Sequence, residues 1–326
     1  MKAIWTIVCL IVLILVGGLI VYFACPTNKS SFESLKVPTQ VHVLILWEED
    51  NSAAKERALS YLRSQDSSRL LEMVRIPKEN IHRVLSRVSS GGFHTRNDVE
   101  ALIVEVPGDE DTRKTHDHPN GELVNRVMYD LKTAARGKYS NYRVAHGSFN
   151  KKEAEEFFHG YFPYLGPFKD VKDVLVSLAR SNIFWFYDRV NSPTEIGDVG
   201  GDIDLVVDSI PATAYFLRDT GTGSKLHPPI ENLRVMFDLQ DFRSGYYPEK
   251  WLEDIRKRGV SRKCGYFITP NLLDHFMLGL YHMYKHKGGK QGTRRLALLD
   301  QMARKLGEEV NESTLEKFLT SNDYGC

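Results

Sequence analysis

A chain of 326 residues with 42% apolar and 26% charged residues has the composition of globular protein and the length of two domains rather than one. A formal net charge of +1 supplies no general pull toward nucleic acid, so no nucleic-acid partner is expected. Of four cysteines only Cys264 and Cys326 lie beyond the first 25 residues, which excludes a disulfide-framed fold.

Ala3 to Ala24 holds no charged residue and is rich in Ile, Val and Leu. As a helix it would span roughly 33 Å, enough for a bilayer. It is longer than the about 7–15 apolar residues of a secretory signal. It reads as an uncleaved transmembrane anchor over 1–25, with Trp5 and Tyr22 near the ends where interfacial aromatics belong. A long signal peptide is the alternative. Lys2 on one side and Lys29 and Lys36 on the other do not fix the orientation. Asn28-Lys29-Ser30 and Asn311-Glu312-Ser313 match the glycosylation pattern, and the second permits a lumenal address. Residues 26–38 are polar and read as a stem.

Val41 to Trp47 reads as a buried strand, Ser52 to Gln65 as a helix and Leu70 to Ile76 as a second strand. Glu79 to Val88 suggests a short helix ended by Ser89-Ser90-Gly91-Gly92. Val99 to Val106 is a third strand closed by Pro107-Gly108, and the charged run Asp109 to Asn120 is a loop. Glu122 to Arg136 is a helix, Tyr142 to His146 a strand and Lys151 to His159 a helix. That order is close to a split βαβ, ferredoxin-like α/β domain over 39–162.

Tyr161-Phe162-Pro163-Tyr164-Leu165-Gly166-Pro167 marks a boundary. A second domain over 163–260 then offers a helix at Val171 to Arg180, strands at Ile183 to Tyr187 and Ile203 to Val207, and a helix at Pro211 to Arg218. Thr220 to Ser224 reads as a turn-rich loop, Arg234 to Leu239 as a strand and Tyr247 to Lys257 as a helix. The remaining residues, 261–326, form a helical region with segments at Leu272 to Lys287, Thr293 to Leu306 and Ser313 to Leu319. The expected class is α+β.

Within Gly200-Gly201-Asp202-Ile203-Asp204-Leu205-Val206-Val207, two aspartates alternate with apolar residues. Successive strand side chains point to opposite faces, so Asp202 and Asp204 share one face while Ile203 and Leu205 point into a core. Asp is depleted from strands, so the pair calls for an explanation. Asp238, between Phe237 and Leu239, faces away from both. If its strand neighbours the first, three carboxylates converge and can hold divalent metal for phosphate chemistry. A solvated face of an edge strand carrying Asp202, Asp204 and Asp208 explains the alternation equally well.

The stretch from Val171 to Leu306 resembles the polymerase-β-type nucleotidyltransferase superfamily. By motif match Asp202 and Asp204 resemble its paired metal ligands and Asp238 the third. Phe237-Asp238-Leu239, Gly245-Tyr246-Tyr247 with Trp251, and Tyr281-His282 with Lys285 to Lys287 resemble a poorly characterised group of that superfamily, whose members also carry a preceding α/β region. The resemblance implies Mg²⁺ (or Mn²⁺) and a nucleotide or nucleotide-activated donor. It also implies a nucleotidyltransferase-like core followed by C-terminal helices. One feature departs from the superfamily. Its glycine turn usually stands about ten residues before the Asp pair, whereas here Gly200-Gly201 abuts Asp202 and Asn191-Ser192-Pro193-Thr194 fills the upstream loop. Arg189, Ser192 and Thr194 are the substitute phosphate ligands.

Arg234 and Arg243 flank Asp238 and can pair with phosphate or with the acids. Tyr247, with Tyr246 and Trp251, either stacks on a base or a sugar or is plain core. His282 and His286 stand four apart among Tyr281, Lys285 and Lys287, a basic helix end that faces phosphate or simply suits a helix C-terminus. His146-Gly147-Ser148 resembles the active-site segment of nucleoside diphosphate kinases, without the flanking residues at their usual offsets. A turn-capping His146 is the simpler account.

Anchor, stem and nucleotidyltransferase-like domain together are similar in layout to the fukutin-type phosphotransferases of the secretory pathway. The resulting expectation is a single-pass membrane protein of the ER or Golgi with a lumenal C-terminal domain. It would transfer a nucleotidyl or sugar-alcohol-phosphate group, with a glycan as acceptor. The alternatives are a non-catalytic nucleotide-binding or scaffold protein of the same fold, and a phosphotransferase centred on His146.

Overall fold

The computed structural model describes residues 38–47, 52–85, 98–113, 121–137, 144–187, 202–221, 223–259, 261–263 and 267–324. These all belong to the second of two compact units, Met1–Glu33 and Ser34–Cys326. The expected anchor lies outside the described residues, as do Arg189, Ser192, Gly200 and Gly201. Among the described residues no helix is long and apolar enough to cross a membrane.

The chain opens with β1 (Thr39–Leu46), α1 (Ser52–Arg63), β2 (Arg69–Ile76) and, after one 3₁₀ turn, α2 (Ile81–Leu85). β3 (Val99–Pro107) follows, then β4 (Glu110–Arg113), β5 (Glu122–Asn125), α3 (Arg126–Arg136) and β6 (Ala145–Gly147). The first sheet has the order β2-β3-β1-β6, every neighbouring pair antiparallel. The charged segment expected as a loop instead starts with β4, which pairs with β5. This hairpin takes the first turn of the expected helix at Glu122. Asn125 then starts α3, its Oδ1 accepting from Met128 N at 3.1 Å and its amide donating to Pro107 O at 2.7 Å.

One face of this sheet presents Leu44, Leu46, Leu102 and Val104 to α1 and α3. The other presents Val43, Ile45, Ala101 and Ile103 to α2 and to α4 (Lys151–Leu165). α4 runs beyond the expected His159, through Pro163 to Leu165. Gly160 lets it lie against α2, because an added Cβ would stand 2.2 Å from Val84 O.

α5 (Val171–Arg180), β7 (Trp185–Tyr187), β8 (Asp202–Val207), α6 (Ile210–Phe216), β9 (Lys225–Leu226) and β10 (Met236–Asp241) come next. Their mixed sheet has the order β7-β8-β10-β9, with β8 and β10 parallel and the outer pairs antiparallel. β9 was not anticipated; two residues are too few for a period to show. α7 (Glu249–Arg258) begins after Pro248, later than expected. β11 (Ser261–Lys263), β12 (Phe267–Thr269), α8 (Leu272–Tyr281), α9 (Thr293–Leu306) and α10 (Glu312–Ser321) complete the chain. The helix expected to reach Lys287 stops at Tyr281 and continues as a π-helical turn over His282–His286.

The two sheets share buried material. Ala212 and Tyr215 of α6 pack into the apolar layer on the α4 side of the first sheet. A buried ionic network joins them as well. Glu105 on β3 has no exposed surface and accepts from Arg69 Nε at 3.0 Å and Nη2 at 2.6 Å, from Thr39 Oγ1 at 2.6 Å and from Ser209 Oγ. Arg69 Nη1 also meets Asp208 Oδ2 at 2.9 Å, one residue past β8. Burial works against the Arg69 charge, but the Asp208 and Glu105 carboxylates outweigh it and hold the guanidinium pKa above its usual range. Burial pushes the Asp208 carboxyl up, against the pull of Arg69.

Removing one partner from a buried ionic network leaves an uncompensated charge. Arg69→Met is therefore expected to cost about 3–5 kcal/mol at pH 7, read by urea unfolding. The cost should shrink as pH falls and Asp208, whose carboxyl burial already pushes up, binds a proton.

His42 on β1 is fully buried, with Nδ1 3.0 Å from Ser148 Oγ and Nε2 3.0 Å from Gln40 Oε1. Since Oε1 only accepts, Nε2 carries the proton and the Ser148 hydroxyl donates to Nδ1. Burial lowers the His42 pKa to about 4, opposed in small part by the Ser148 backbone, which favours the protonated ring. The unfolded chain, with a pKa near 6.5, binds the proton first. Stability is thus fully present above about pH 6.5 and is lost as pH falls toward 4, by about 3 kcal/mol. Stability profiles of the wild type and His42→Gln should differ by this slope; identical profiles would refute it.

Candidate carboxylate site

The parallel register of β8 and β10 sets Met236 opposite Asp202, Phe237 opposite Ile203 and Asp238 opposite Asp204. In-register residues of neighbouring strands project to one face, with backbones about 4.8 Å apart. Asp202, Asp204 and Asp238 therefore occupy one face, as the alternation requires. Ile203, Leu205, Phe237 and Leu239 fill the core on the other. Asp202 is exposed, Asp238 half-buried and Asp204 buried at 9%. Val206, further along the same face of β8, is fully buried, while Gln240 opposite it on β10 is half-buried.

Two like charges directly opposite in a sheet destabilise it. Among the described residues, however, no three His, Cys, Asp or Glu side chains are grouped closely enough to hold one ion. The donor chemistry itself fits a hard divalent cation, since carboxylate oxygens are what Mg²⁺ and Mn²⁺ prefer.

The other candidates disperse. Arg234 is exposed two residues before β10. Arg243 folds back on Asp241, with Nη2 2.9 Å from Oδ2 and Nε 3.1 Å from Oδ1. Both line a different feature, a cavity of about 380 Å³ walled by Val41, Phe158, Phe162 and Tyr215. Tyr247 is buried at 2% and packs edge-on against Trp251, so core is its role here. Its neighbour Tyr246 holds both histidines of the π turn. Tyr246 Oη lies 2.6 Å from His282 Nδ1, and His286 Nε2 donates to Tyr246 O at 2.8 Å with the two rings stacked 3.8 Å apart. Lys285 points to Glu316 and Glu312 on α10. The basic helix end thus makes ring contacts with Tyr246 and ion pairs with α10. His146 stands half-buried on β6 opposite Ile45.

One neighbour of the acids escaped the sequence reading. β9 pairs with β10 so that Lys225 stands opposite Asp238. The signal was a lysine following Gly221, Gly223 and Ser224, then an apolar Leu226. No family model, no curated protein and no solved structure matches the chain.

The like-charge pair has a measurable consequence. In metal-free buffer Asp238→Asn should raise unfolding free energy by about 0.2–1 kcal/mol, because it relieves the cross-strand repulsion. The gain should vanish in excess Mg²⁺; a metal-independent loss of stability would contradict it.

Proposed function

We propose that this chain is a membrane-anchored, Mg²⁺- or Mn²⁺-dependent transferase of the nucleotidyltransferase type. It moves a nucleotidyl or sugar-alcohol-phosphate group from a nucleotide-activated donor. The observation that carries this reading is the β8–β10 register, which sets Asp238 beside Asp204 on the face that Asp202 shares. The order β2-β3-β1-β6 supports a ferredoxin-like plan for the preceding region. The mixed sheet followed by helices supports a nucleotidyltransferase-like core. A glycan acceptor, an anchor at Ala3 to Ala24 and a lumenal ER or Golgi address rest on likeness of layout to the fukutin-type enzymes, which is analogy.

Asp202, Asp204 and Asp238 would hold the metal. A divalent ion held there would supply charge neutralisation of the donor phosphates. Asp204, the most buried, is set by its strand and supplies the fixed ligand. Asp202, the most exposed, is the carboxylate an acceptor hydroxyl can reach, and it takes the hydroxyl proton on Oδ.

A non-catalytic nucleotide-binding protein of the same fold is the second reading. It is favoured by the fact that no three-ligand group stands assembled among the described residues. Thermal and urea unfolding separate the two. With CTP or UTP at about a hundred times its Kd, the transferase should gain about 2.7 kcal/mol of stability in Mg²⁺ and none without metal. Asp204→Ala should abolish the gain. An equal shift without metal would establish the binding module, and no shift with either nucleotide would remove the transferase reading.

A further inference from the structure

We propose that the cavity between α4, α6 and the start of β1 binds an apolar primary amine, a small molecule with a hydrophobic body and one ammonium head. The cavity involves none of the three carboxylates of β8 and β10, so the proposal stands apart from the transferase reading. β10 brings Asp241 to it three residues beyond Asp238, about 10 Å along the strand and on its other face.

Its volume of about 380 Å³ falls in the range of small-molecule sites and far above the water-sized voids of a close-packed interior. Val41, Ala154, Phe158, Phe162, Ala214 and Tyr215 make the wall apolar. The rings of Phe158 and Phe162 stack at 5.3 Å, and Tyr215 leans on them at 5.6 and 5.9 Å, so part of the wall is aromatic. Both sides are fixed before any ligand arrives. α6 starts on Ser209, whose hydroxyl donates to the buried Glu105. Beyond α6, Asp219 accepts from Gly221 N through Oδ1 and from His227 N through Oδ2, each at 2.7 Å, and closes the turn at the rim. A preorganised site spares the ligand the cost of ordering it.

Charge selects the ligand. Three acids, Glu155, Asp219 and Asp241, and two bases, Lys151 and Arg243, line the cavity. Arg243 is engaged by both oxygens of Asp241, and Lys151 stands 3.8 Å from Glu155. Asp219 is the acid left over. It is half-buried, its partners are two neutral backbone N–H groups, and among the described residues no cation lies within 4.0 Å of it. Thr39 and Gln40 at the lip are committed to Glu105 and His42. Glu105 and Asp208 set two further carboxylates against the single charge of Arg69. Their field reaches the cavity: the Arg243 guanidinium is held above its usual pKa first by its hydrogen bond to Asp241, and both carboxylates add to the pull. An apolar cavity with this excess of negative charge disfavours carboxylates and phosphates. It favours an ammonium, whose three N–H donors suit the remaining lone pairs of Asp219.

The test uses the full-length chain in lipid nanodiscs, with empty discs as the blank. The probes are three molecules of similar shape: phenethylamine, 2-phenylethanol and phenylacetate. Binding is read by calorimetry at neutral pH. The amine should bind at least about tenfold more tightly than the alcohol, the weight of a charge-assisted contact. Phenylacetate should bind more weakly than the alcohol. Asp219→Asn keeps one acceptor for the turn and should bring the amine down to the affinity of the alcohol. Val41→Phe leaves that turn untouched, fills the cavity from β1 and should weaken amine and alcohol alike. The probe series and Val41→Phe decide the matter even where Asp219→Asn unfolds. A wild type that binds no amine, equal affinity for amine and alcohol, an amine preference that survives in Asp219→Asn, or unchanged amine binding in Val41→Phe overturns the proposal. The metal site is untouched by any of these outcomes.

Discussion

Glu105 is a carboxylate with no access to water, placed on the third strand of one sheet and satisfied from four directions. A buried carboxylate without hydrogen-bond partners carries a heavy desolvation cost. Arg69 makes it tolerable and reaches past it to Asp208, so a single guanidinium holds β2, β3 and the end of β8 in one arrangement. Ser209 belongs to the same network and also starts α6, its Oγ accepting from Ala212 N at 3.1 Å. The direction in which α6 leaves β8 is thereby fixed by groups on the other sheet. Two acids share one base, and burial raises the Asp208 pKa against the pull of Arg69. Such a network contributes little net stability compared with an apolar replacement. What it supplies is a defined join, since apolar contacts between α6 and the first sheet would tolerate sliding and a bidentate ionic contact does not.

That join bears on the acidic face. Parallel strands cannot be linked by a tight turn and need a crossover. Here the crossover from β8 to β10 is α6, the Asp219 turn and β9. One end of it is clamped by the Arg69 network and the other by the docking of Ser224 on Leu239. The register between Asp204 and Asp238 is what lies between those clamps. A like-charge pair in that register works against the fold, and its presence is the kind of local conflict that sites, rather than scaffolds, retain.

Much of this was legible in the residues. The alternation around Asp202 and Asp204 gave both their shared face and the core on the other side, because a period of two is a strong signal even over six residues. The long apolar strands β1 and β3 were legible for the same reason. Other features were not. β9 is too short to show a period, so Lys225 looked like part of a loop. β4 is polar along its whole length and lacks the apolar contrast that marks a strand. Glu105 did leave a trace, a lone charge inside an otherwise apolar strand, where buried charge is found only with a partner. Its partners are 36, 66 and 104 residues away in sequence, and no local pattern names them. The aromatic and basic cluster is legible as residues but not as partners. Tyr246, His282 and His286 have binding-site chemistry but use it on one another.

The π turn at His282–His286 shows why such residues need not be near the acids to matter for the fold. A regular α-helix places residues i and i+4 on one face but one turn apart. The wider π turn brings both imidazoles onto one tyrosine, His282 at its hydroxyl and His286 on its ring and carbonyl. Tyr246 belongs to the segment directly after β10, and its neighbours Tyr247 and Trp251 pack on Tyr281. The C-terminal helices are therefore fastened to the far end of the strand that carries Asp238. Where β8 and β10 begin, Asp202 and Lys225 are exposed and Asp238 is half-buried, with Asp204 buried beside them.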